Sequence, residues 1–550
     1  MKFSKLACFL LLLFVLIRLP GLALPYHQDE WKTARGVELG ASGTSGLYHP
    51  PLTQLFFQGA GAVFGADHLR LLPLLFGVLS AALLYQVLKK LADEKTALLG
   101  LFLYAFSAAN VWASLQLDTD GVILPTFFLL TVLVYWRAQV AVGRSRWWWI
   151  LATIGALLLG LMVKLSFILV IGVILVDFVW RQWSAGHRRP ILYALGGLVG
   201  LAALFVAGLL VVRALYPAFS ISGMISHALS YVRFGGRGYL QIIVQGLKAV
   251  MYLSPLGFAA ALWARTDVWR KLRIFWLYIV FGFIFYFILF DFSQGALDKY
   301  LLFLIVPLVV ISSLVLAPVL ARHNSKILRR GIGWGTFLAM ALIGLNFVSQ
   351  NLIPLYPKTA WFGEVLSGRW NVLTPFMGGS GPLGYYISFL FIGVSFILVA
   401  GLIVLGWFKP QWRLSLAIVL IITSFAYNAI FIEELLFGKI NGSAPAVLRQ
   451  NLAYLAGSPA AAPVLTYGDV GAFELTTMGK YGGRFYAAPQ YEEAHQKLFS
   501  QFQGDYLVVN LPPLNPDSFY GRFFANCQIR FEAISNKVSG RIYSCPKPKA

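Results

Sequence analysis

The chain has 550 residues, of which 59% are hydrophobic and only 12% are charged, and its mean hydropathy is +0.73. A soluble globular protein has about 25% charged residues, so this composition excludes an ordinary soluble fold and indicates an integral membrane protein. The 44 basic and 22 acidic residues give a net charge of +22. The basic residues are scattered between apolar stretches and are not gathered on one face, which argues against a nucleic-acid partner.

The first apolar stretch follows Lys2 and Lys5 and has a long core without an A-x-A cleavage site. We therefore expect an uncleaved membrane anchor and not a secretory signal. Stretches close to the ~20 apolar residues that cross a bilayer recur as far as residue 432. They predict an α-helical polytopic membrane protein with about thirteen transmembrane helices, at residues 6–24, 71–88, 96–115, 122–140, 147–163, 165–182, 191–213, 250–264, 274–290, 301–320, 332–350, 384–407 and 414–432.

The basic residues predict the orientation of these helices. Short connections between alternate spans are nearly all basic, as in "RQWSAGHRR" and "ARHNSKILRR", and such connections are typically cytoplasmic. The amino terminus is then cytoplasmic, in a multi-pass protein of the cytoplasmic (inner) membrane. The outer loops are expected at residues 25–70, 116–121, 214–249, 291–300 and 351–383.

The tail that follows residue 432 has a different pattern. Stretches such as "APVLTYGDVGAFEL", "DYLVVNLPP" and "CQIRFEAI" resemble short strands separated by Gly, Pro and Asp. We therefore divide the chain into a transmembrane domain, residues 1–432, and a small extracytoplasmic α/β domain, residues 433–550. Cys527 and Cys545 lie in this tail, where an oxidising environment would favour a disulfide between them.

Ionisable residues cluster at the outer ends of the predicted spans. An ionisable group at membrane depth costs about 2.5–3.5 kcal/mol on insertion scales, so it usually has a partner or a function. Because these residues share one side of the membrane, they suggest an active site on that side. They are Asp29 and Glu30 after the first span, Asp118 and Asp120 between the third and fourth, Lys164 between the fifth and sixth, and Asp298 and Lys299 before the tenth.

Each of these residues also has a structural interpretation. Asp29 or Glu30 would serve as a helix cap, the two Asp residues between the third and fourth spans are favoured in a tight turn, and the lysines would extend to the membrane interface. His49 would then be an ordinary loop residue. The residues leave these alternatives open.

Several motifs carry a resemblance to a known family. An Asp-Glu pair lies in a long first outer loop and "YHPPL" follows it, Asp120 begins a span in "TDGVILPTFFLL", and a basic residue and a tyrosine precede a proline-containing span in "DKYLLFLIVPL". Lys164 follows a glycine-containing fifth span. With these motifs the chain resembles the GT-C superfamily of integral-membrane glycosyltransferases, in particular the group of the protein O-mannosyltransferases and the lipid A aminoarabinose transferase.

The sequence departs from the family pattern at three positions. His49 stands directly before Pro-Pro where the aminoarabinose enzymes have Lys, Val163 replaces a Thr, and Lys299 stands where relatives often have Arg. The "WWDYG" motif of oligosaccharyltransferases is absent, which argues against that branch. These departures leave the sugar and the acceptor open.

The resemblance implies an inverting glycosyltransferase that moves a sugar from a polyprenyl-phosphate donor to a hydroxyl of a lipid, glycan or protein acceptor on the outer face of the membrane. No metal cofactor is required, although some relatives bind a divalent metal. The expected site residues are Asp29 as the base with Asp120 and Glu30 as further catalytic carboxylates; Lys164, Lys299, His49, Arg233 and Arg237 for the donor phosphate; and Tyr300, Tyr48 and Asp118 for the substrates.

Two other classes of function compete with this interpretation. A lipid-linked sugar transporter or flippase would have internal repeats with matching broken helices, and the sequence shows no such symmetry. A scaffold would bind partners through its tail. An Asp29→Asn variant separates these classes, because only an enzyme would lose turnover while it still folds and binds the donor.

Overall fold

The computed structural model describes residues 3–40, 49–217, 219–232, 238–264, 266–291, 297–322, 324–357, 360–376, 383–458 and 462–546. The chain forms two compact units. The first consists of Met1–Leu19, Gly36–Gly331 and Leu402–Ile418, and the second of Pro20–Arg35, Ile332–Gly401 and Val419–Ala550. Each unit is described by itself below.

Helices dominate both units. In chain order the helices are α1 (Lys5–Arg18), α2 (Asp29–Glu38), α3 (Pro51–Phe64), α4 (Leu71–Leu91), α5 (Glu94–Ala105), α6 (Ala108–Ala113), α7 (Ile123–Val140), α8 (Gly143–Val163), α9 (Ile168–Ser184), α10 (Pro190–Leu215), α11 (Ile221–Ser230), α12 (Tyr239–Tyr252), α13 (Pro255–Ala261), α14 (Thr266–Lys271), α15 (Arg273–Ile284), α16 (Leu297–Tyr300), α17 (Ile305–Leu320), α18 (Ser325–Leu352), α19 (Ala360–Leu366), α20 (Phe389–Phe408), α21 (Arg413–Leu436), α22 (Ala444–Gly457), α23 (Ala472–Thr477), α24 (Glu492–Gln501) and α25 (Phe519–Ala525).

The described residues contain ten helices that are long and apolar enough to cross a membrane, or eleven if one bent pair is a single span. The chain is thus a mostly helical, multi-pass membrane protein, as predicted. The ten segments are Lys5–Ala23, Ala66–Leu91, Ile123–Val140, Gly143–Val163, Leu165–Ser184, Pro190–Leu215, Leu301–Leu320, Ser325–Leu352, Phe389–Phe408 and Pro410–Leu436.

Three of the thirteen predicted spans are interrupted or short. The span at 96–115 breaks after α5, because the Ser107 hydroxyl accepts the Asn110 N–H and so caps a new helix, α6. The span at 250–264 bends by 94° between α12 and α13, where Pro255 disfavours helical backbone at the residue before it. The span at 274–290 is represented by a shorter apolar helix, Arg273–Leu289, whose last turn is a π-helix.

In the first unit, α17 is the most deeply buried of the candidate spans, with 89% of its most apolar window inside the protein. It packs against α4, α5, α13 and α15. The end of α1 is also fixed by polar contacts, since the buried Arg18 donates to Ser114 Oγ (2.5 Å) and to the carbonyl oxygens of Phe14 and Ala105. These acceptors satisfy a charge that would otherwise be costly inside a membrane protein.

The second unit contains the strands of a mixed sheet. β1 (Leu373–Phe376) and β2 (Tyr385–Ser388) form an antiparallel pair, and β3 (Val464–Tyr467), β4 (Tyr481–Phe485), β5 (Asp505–Val509), β6 (Gln528–Ser535) and β7 (Val538–Ser544) form a sheet in the order β4-β3-β5-β7-β6. β3 is parallel to both β4 and β5, whereas β7 is antiparallel to β5 and β6.

Both faces of the five-stranded sheet are covered by apolar side chains. Val464, Leu507 and Ile542 contribute to one buried cluster with α22, and Leu465 and Phe485 contribute to another with α24 and α25. Because alternate strand residues face opposite sides, a sheet buried on both faces is expected in an α/β fold. Cys527 and Cys545 form a disulfide, as the sequence suggested. The division at residue 432/433 stays a prediction.

Candidate active site

Three breaks in regular helix bring charged residues of the first unit together. Asp118 and Asp120 lie in the turn between α6 and α7, and Lys299 and Tyr300 lie in the one-turn helix α16. Lys164 ends α8 with an extended backbone (φ −157°, ψ 138°). A side chain at the end of a helix can turn away from the helix axis, so each break allows a charged group to reach its neighbours.

Two ion pairs form at these breaks. The Lys299 ammonium donates to Asp118 Oδ2 at 2.7 Å, and the Lys164 ammonium donates to Asp120 Oδ2. Both ammonium nitrogens lie 5.1 Å from the ring centroid of Tyr300, which is within the range of a cation–π contact. The structure therefore brings together five residues predicted from the sequence, and we call Asp118, Asp120, Lys164, Lys299 and Tyr300 the charged cluster.

The turn that carries the two carboxylates is itself hydrogen-bonded. Asp118 Oδ1 accepts the backbone N–H groups of Thr119 (2.5 Å) and Asp120 (3.3 Å), and the Leu124 N–H donates to the Thr119 carbonyl at 2.9 Å. Asp118 thus acts as a turn residue through one oxygen and as an ion-pair partner through the other. The interpretation of Asp118 as a turn residue and its interpretation as a member of a charged site therefore both describe contacts that are present.

Asp120 differs from Asp118 in what its second oxygen contacts. The side chain is 5% exposed, and Oδ1 is buried without a hydrogen-bond partner in the described part of the chain. A buried acceptor without a partner costs about 1–3 kcal/mol. This oxygen is therefore available to a hydroxyl or amide donor that enters the cluster.

The surroundings shift the pKa values of the two carboxyl groups in opposite directions. Burial would raise the pKa of Asp118, but the positive charges of Lys299 and Lys164 outweigh burial and hold it below its usual range. Burial raises the pKa of Asp120, and the charge of Asp118 adds to this effect against the attraction of Lys164. Neighbouring acids whose pKa values are pushed apart are frequent in active sites.

His49 lies beside the cluster, at the start of α3. Its ring centroid is 5.3 Å from that of His227, and the Thr53 hydroxyl of the first turn of α3 donates to the Val163 carbonyl at 2.7 Å, next to Lys164. The ring is accessible but has protein on most sides, and this partial desolvation, with the charge of Lys164, lowers the pKa of His49 to about 4. The imidazole is then neutral near pH 7, so it would act on a donor phosphate as a neutral hydrogen-bonding group.

Asp29 and Glu30 belong to the second unit, where they occupy the first turn of α2. The Asp29 carboxylate pairs with Lys32 at 2.9 Å, and both side chains are about half exposed. Glu30 is fully buried, and its Oε2 accepts the backbone N–H of His27 at 3.3 Å. Glu30 therefore serves the helix start, in the manner of the reciprocal bond of a capping box, while Asp29 is open to solvent.

Three of the predicted residues lie outside the described residues. They are Tyr48, Arg233 and Arg237, and their predicted roles stay predictions.

Polar residues that the sequence did not single out also occupy notable positions. His227 faces His49, and in the second unit Asp469 is buried among hydrogen-bond donors. Asp177 lies fully buried within α9 and accepts from Tyr135 (2.8 Å), Arg181 (2.7 Å) and Arg273 (2.6 Å). A single acid inside the apolar run "VILVDFVW" was the signal for Asp177, and the Gly-Asp pair after a predicted strand was the signal for Asp469.

Among the described residues there is no group of three or more His, Cys, Asp or Glu side chains placed to hold a metal ion. The charged cluster contains paired charges and one free carboxylate oxygen. Such a set is suited to binding a phosphate and a hydroxyl through ammonium and carboxylate groups.

The fold and the cluster define a multi-pass membrane protein with a charged site at the ends of its helices, and comparison with known proteins identifies the fold more closely. Residues 48–209 match the sequence model of the family described as dolichyl-phosphate-mannose-protein mannosyltransferase. A search of curated proteins finds no match.

Two solved structures of ArnT from Cupriavidus metallidurans are similar to this chain over nearly the whole of both proteins. The structure bound to undecaprenyl phosphate is 15% identical, with 97% of each chain covered and a TM-score of 0.55. The apo structure is 14% identical, with the same coverage and a TM-score of 0.52. These matches confirm the GT-C fold predicted from the sequence.

Proposed function

We propose that the protein is an inverting glycosyltransferase that moves a sugar from a polyprenyl-phosphate donor to a hydroxyl of a lipid, glycan or protein acceptor. The observation that carries this proposal is the charged cluster, in which the ammonium groups of the buried Lys299 and the partly buried Lys164 lie around Tyr300. The cluster also contains a carboxylate oxygen without a partner among the described residues. The mannosyltransferase match of residues 48–209 includes Asp118, Asp120 and Lys164.

The lysines are suited to stabilising the leaving phosphate. When the bond between the anomeric carbon and the phosphate oxygen breaks, its electron pair stays on that oxygen, and a phosphodiester becomes a phosphomonoester with an additional negative charge. Lys164 and Lys299 are already held in place by their carboxylate partners and by Tyr300. Cations fixed where charge develops act without a reorganisation cost, and removing one such donor typically lowers the rate by about 10²–10³-fold.

The carboxylates take the remaining roles. In the proposed reaction the acceptor oxygen attacks the anomeric carbon and its proton passes to Asp29, whose half-exposed carboxylate is accessible to an incoming hydroxyl. Asp120 Oδ1 accepts a hydrogen bond from a sugar or acceptor hydroxyl. A single displacement with one base predicts inversion at the anomeric carbon.

The donor class is supported by the related fold. One of the two ArnT structures contains undecaprenyl phosphate, a polyprenyl phosphate of the kind that this reaction would release. In this proposal the basic connections are cytoplasmic, as such connections typically are, so the amino terminus is inside and the site lies on the outer face of the cytoplasmic membrane. A donor anchored by its lipid in the bilayer would present its phosphate at the outer surface of the membrane, where the proposed site lies.

Mass spectrometry of membrane lipids tests the proposal. Cells that lack the gene should accumulate one polyprenyl-phosphate sugar, and the wild-type gene should restore its level while Asp29→Asn should not. Purified protein in lipid nanodiscs should convert the accumulated lipid to polyprenyl phosphate when an envelope extract of the same cells supplies the acceptor hydroxyls. A flippase would move the lipid between leaflets without releasing polyprenyl phosphate, and an unchanged lipid profile in the deletion strain would contradict the proposal.

A further inference from the structure

The segment that carries Asp29 packs on the five-stranded sheet region of the second unit. The ring of Tyr26 meets the ring of Phe473 edge-on, with centroids 5.1 Å apart. The ring of Trp31 lies 5.3 Å from that of Tyr481. Both contacts flank Asp29, one before it and one after it, so the tail residues fix the two ends of the turn that presents this carboxylate.

A buried polar network lies at the carboxyl end of β3, close to these ring contacts. Asp469 is fully buried and accepts from Arg484 Nη1 (2.6 Å), from the Tyr486 hydroxyl (2.7 Å) and, more weakly, from the Tyr481 hydroxyl (3.3 Å). In sheets with parallel strands this edge is where ligands and catalytic groups commonly lie. Unlike a surface ion pair, this arrangement has one carboxylate with three donors and a fixed geometry.

The network and Asp29 influence each other electrostatically. Burial, followed by the charge of Asp469, raises the pKa of Tyr486, Arg484 opposes this, and the charge of Asp29 raises it further. The Asp29 carboxylate is therefore close enough to act on the Tyr486 hydroxyl, which is itself bound to Asp469.

The backbone of both loops is strained. Gln28, directly before Asp29, has a φ of 49°, and Asp469 has a φ of 67°. They are two of the three non-glycine residues with positive φ in the described ranges. Such conformations are unfavourable for residues with a Cβ atom, and they persist where the surrounding contacts over-determine the chain, often at functional sites.

We propose that Asp469, Arg484 and Tyr486 form a positioning network that holds Asp29 and sets the charge around it. The network acts through the turn and does not touch the reacting atoms. This inference rests on the proposed function, in which Asp29 is the base, and it gives the tail a role in the transfer reaction.

The known contacts of the described residues bring charges near Asp29 from two elements of this unit. On α2 they are the Lys32 ammonium, at 2.9 Å, and the Glu30 carboxylate, which is turned to the His27 N–H. From the sheet region they are the ion pair of the Asp469 carboxylate and the Arg484 guanidinium, which is linked to Asp29 through the Tyr486 hydroxyl: this hydroxyl donates to Asp469 and is acted on by the charge of Asp29. The proposal therefore expects that removing the Asp469 charge and removing the Arg484 charge change the protonation of Asp29 in opposite directions.

The experiment compares Asp469→Asn with Arg484→Gln in the full-length protein in nanodiscs. The probe is the polyprenyl-phosphate sugar fraction extracted from cells that lack the gene, mixed with an envelope extract of the same cells that supplies the acceptor hydroxyls. The readout is the release of polyprenyl phosphate as a function of pH. With one negative charge fewer, the acidic limb of the rate profile of Asp469→Asn should move to lower pH. With one positive charge fewer, the acidic limb of Arg484→Gln should move to higher pH. We expect each limb to move by about half a pH unit.

A matched pair of controls lies at the other end of the sheet. Asp505 pairs with Val464 at the amino end of β3 and forms an ion pair with Arg530 at 3.3 Å. The variants Asp505→Asn and Arg530→Gln therefore make the same charge changes on the same sheet, away from Asp469. They should leave the acidic limb where it is in the wild type.

Each outcome decides a different statement. Opposite shifts of the acidic limbs of Asp469→Asn and Arg484→Gln support the positioning network. If neither limb shifts apart from the other while Asp29→Asn is inactive, the network is overturned and the proposed function stands. If the wild type releases no polyprenyl phosphate when both the donor fraction and the acceptor extract are present, the proposed function itself is overturned. If the charge variants fail to fold, Tyr486→Phe serves instead, because it keeps the Asp469–Arg484 pair. This variant should lower kcat by at least about tenfold and leave the melting temperature unchanged. An unchanged kcat would overturn the network.

Discussion

Replacing Lys299 by Met removes one charge of a buried ion pair and retains most of the volume of the side chain. The ammonium lies 2.7 Å from Asp118 Oδ2, and both side chains are at most 13% exposed. At an effective dielectric constant of about 20, two unit charges at this distance attract each other by about 6 kcal/mol. Desolvation offsets part of this, and removing one partner of such a pair typically costs about 3–5 kcal/mol of stability, because a carboxylate is left buried without its counter-charge.

The same replacement should also slow the reaction, by about 10²–10³-fold, since one of the two cations for the leaving phosphate is lost. The double variant Lys299→Met/Asp118→Asn separates the two effects, because it removes both charges and leaves no uncompensated carboxylate. It should melt close to the wild type but remain slow. Thermal melting in detergent and polyprenyl-phosphate release in nanodiscs measure the two quantities, and recovery of the rate in the double variant would refute a direct role of Lys299.

Four further predictions concern single residues. Asp29→Asn should lower kcat by about 10²–10⁴-fold while donor binding, measured by co-purified lipid, is retained; wild-type turnover in this variant would exclude Asp29 as the base. Asp120→Asn leaves the Lys164 ammonium unpaired, and should lower both the melting temperature and the rate, whereas loss of the rate alone would contradict the buried pair. Because the pKa of His49 is lowered to about 4, its imidazole is uncharged well above that pH. Wild type and His49→Gln should therefore have pH–rate profiles of the same shape between about pH 5.5 and 8. A change in rate near pH 6.5 that is found only in the wild type would show a charged imidazole. Cys527→Ser opens a bond that spans 18 residues and should cost about 3 kcal/mol, with reductant lowering the melting temperature of the wild type to that of the variant; no change with reductant would mean that the bond does not stabilise the fold.

The sequence was most informative about long apolar stretches and least informative about where they break. Ten of the predicted spans have a counterpart of sufficient length in the described chain. The other three predicted spans have no such counterpart. One contains Ser107, one contains Pro255, and one contains the π-helical turn after Ile284. A hydropathy window averages over such residues, so it detects the apolar composition of a segment but not a cap or a bend inside it.

The site shows a similar division. That charged residues lie at the ends of helices in the charged cluster could be predicted, because charges at the ends of apolar stretches are visible in a single sequence. Their pairing could not: nothing in the sequence assigns Lys164 to Asp120 and Lys299 to Asp118, which are separated by 44 and 181 residues. The tail network around Asp469 was missed because its donors come from a neighbouring strand.

The two ion pairs of the charged cluster have a consequence for the rate of the proposed reaction and for the release of its product. The formal charges of the two lysines and two aspartates cancel, so these four described residues are together electrically balanced before a donor binds. A phosphodiester donor adds one negative charge, and cleavage adds another on the polyprenyl phosphate that forms. In the proposed reaction the lysines would therefore stabilise the transition state more than the bound donor, as differential binding requires. Asp118 and Asp120 would limit the net positive charge that would otherwise retain the product. On this proposal the carboxylates beside the two lysines serve turnover as well as folding, and this is why removing both charges of one pair is expected to restore stability without restoring the rate.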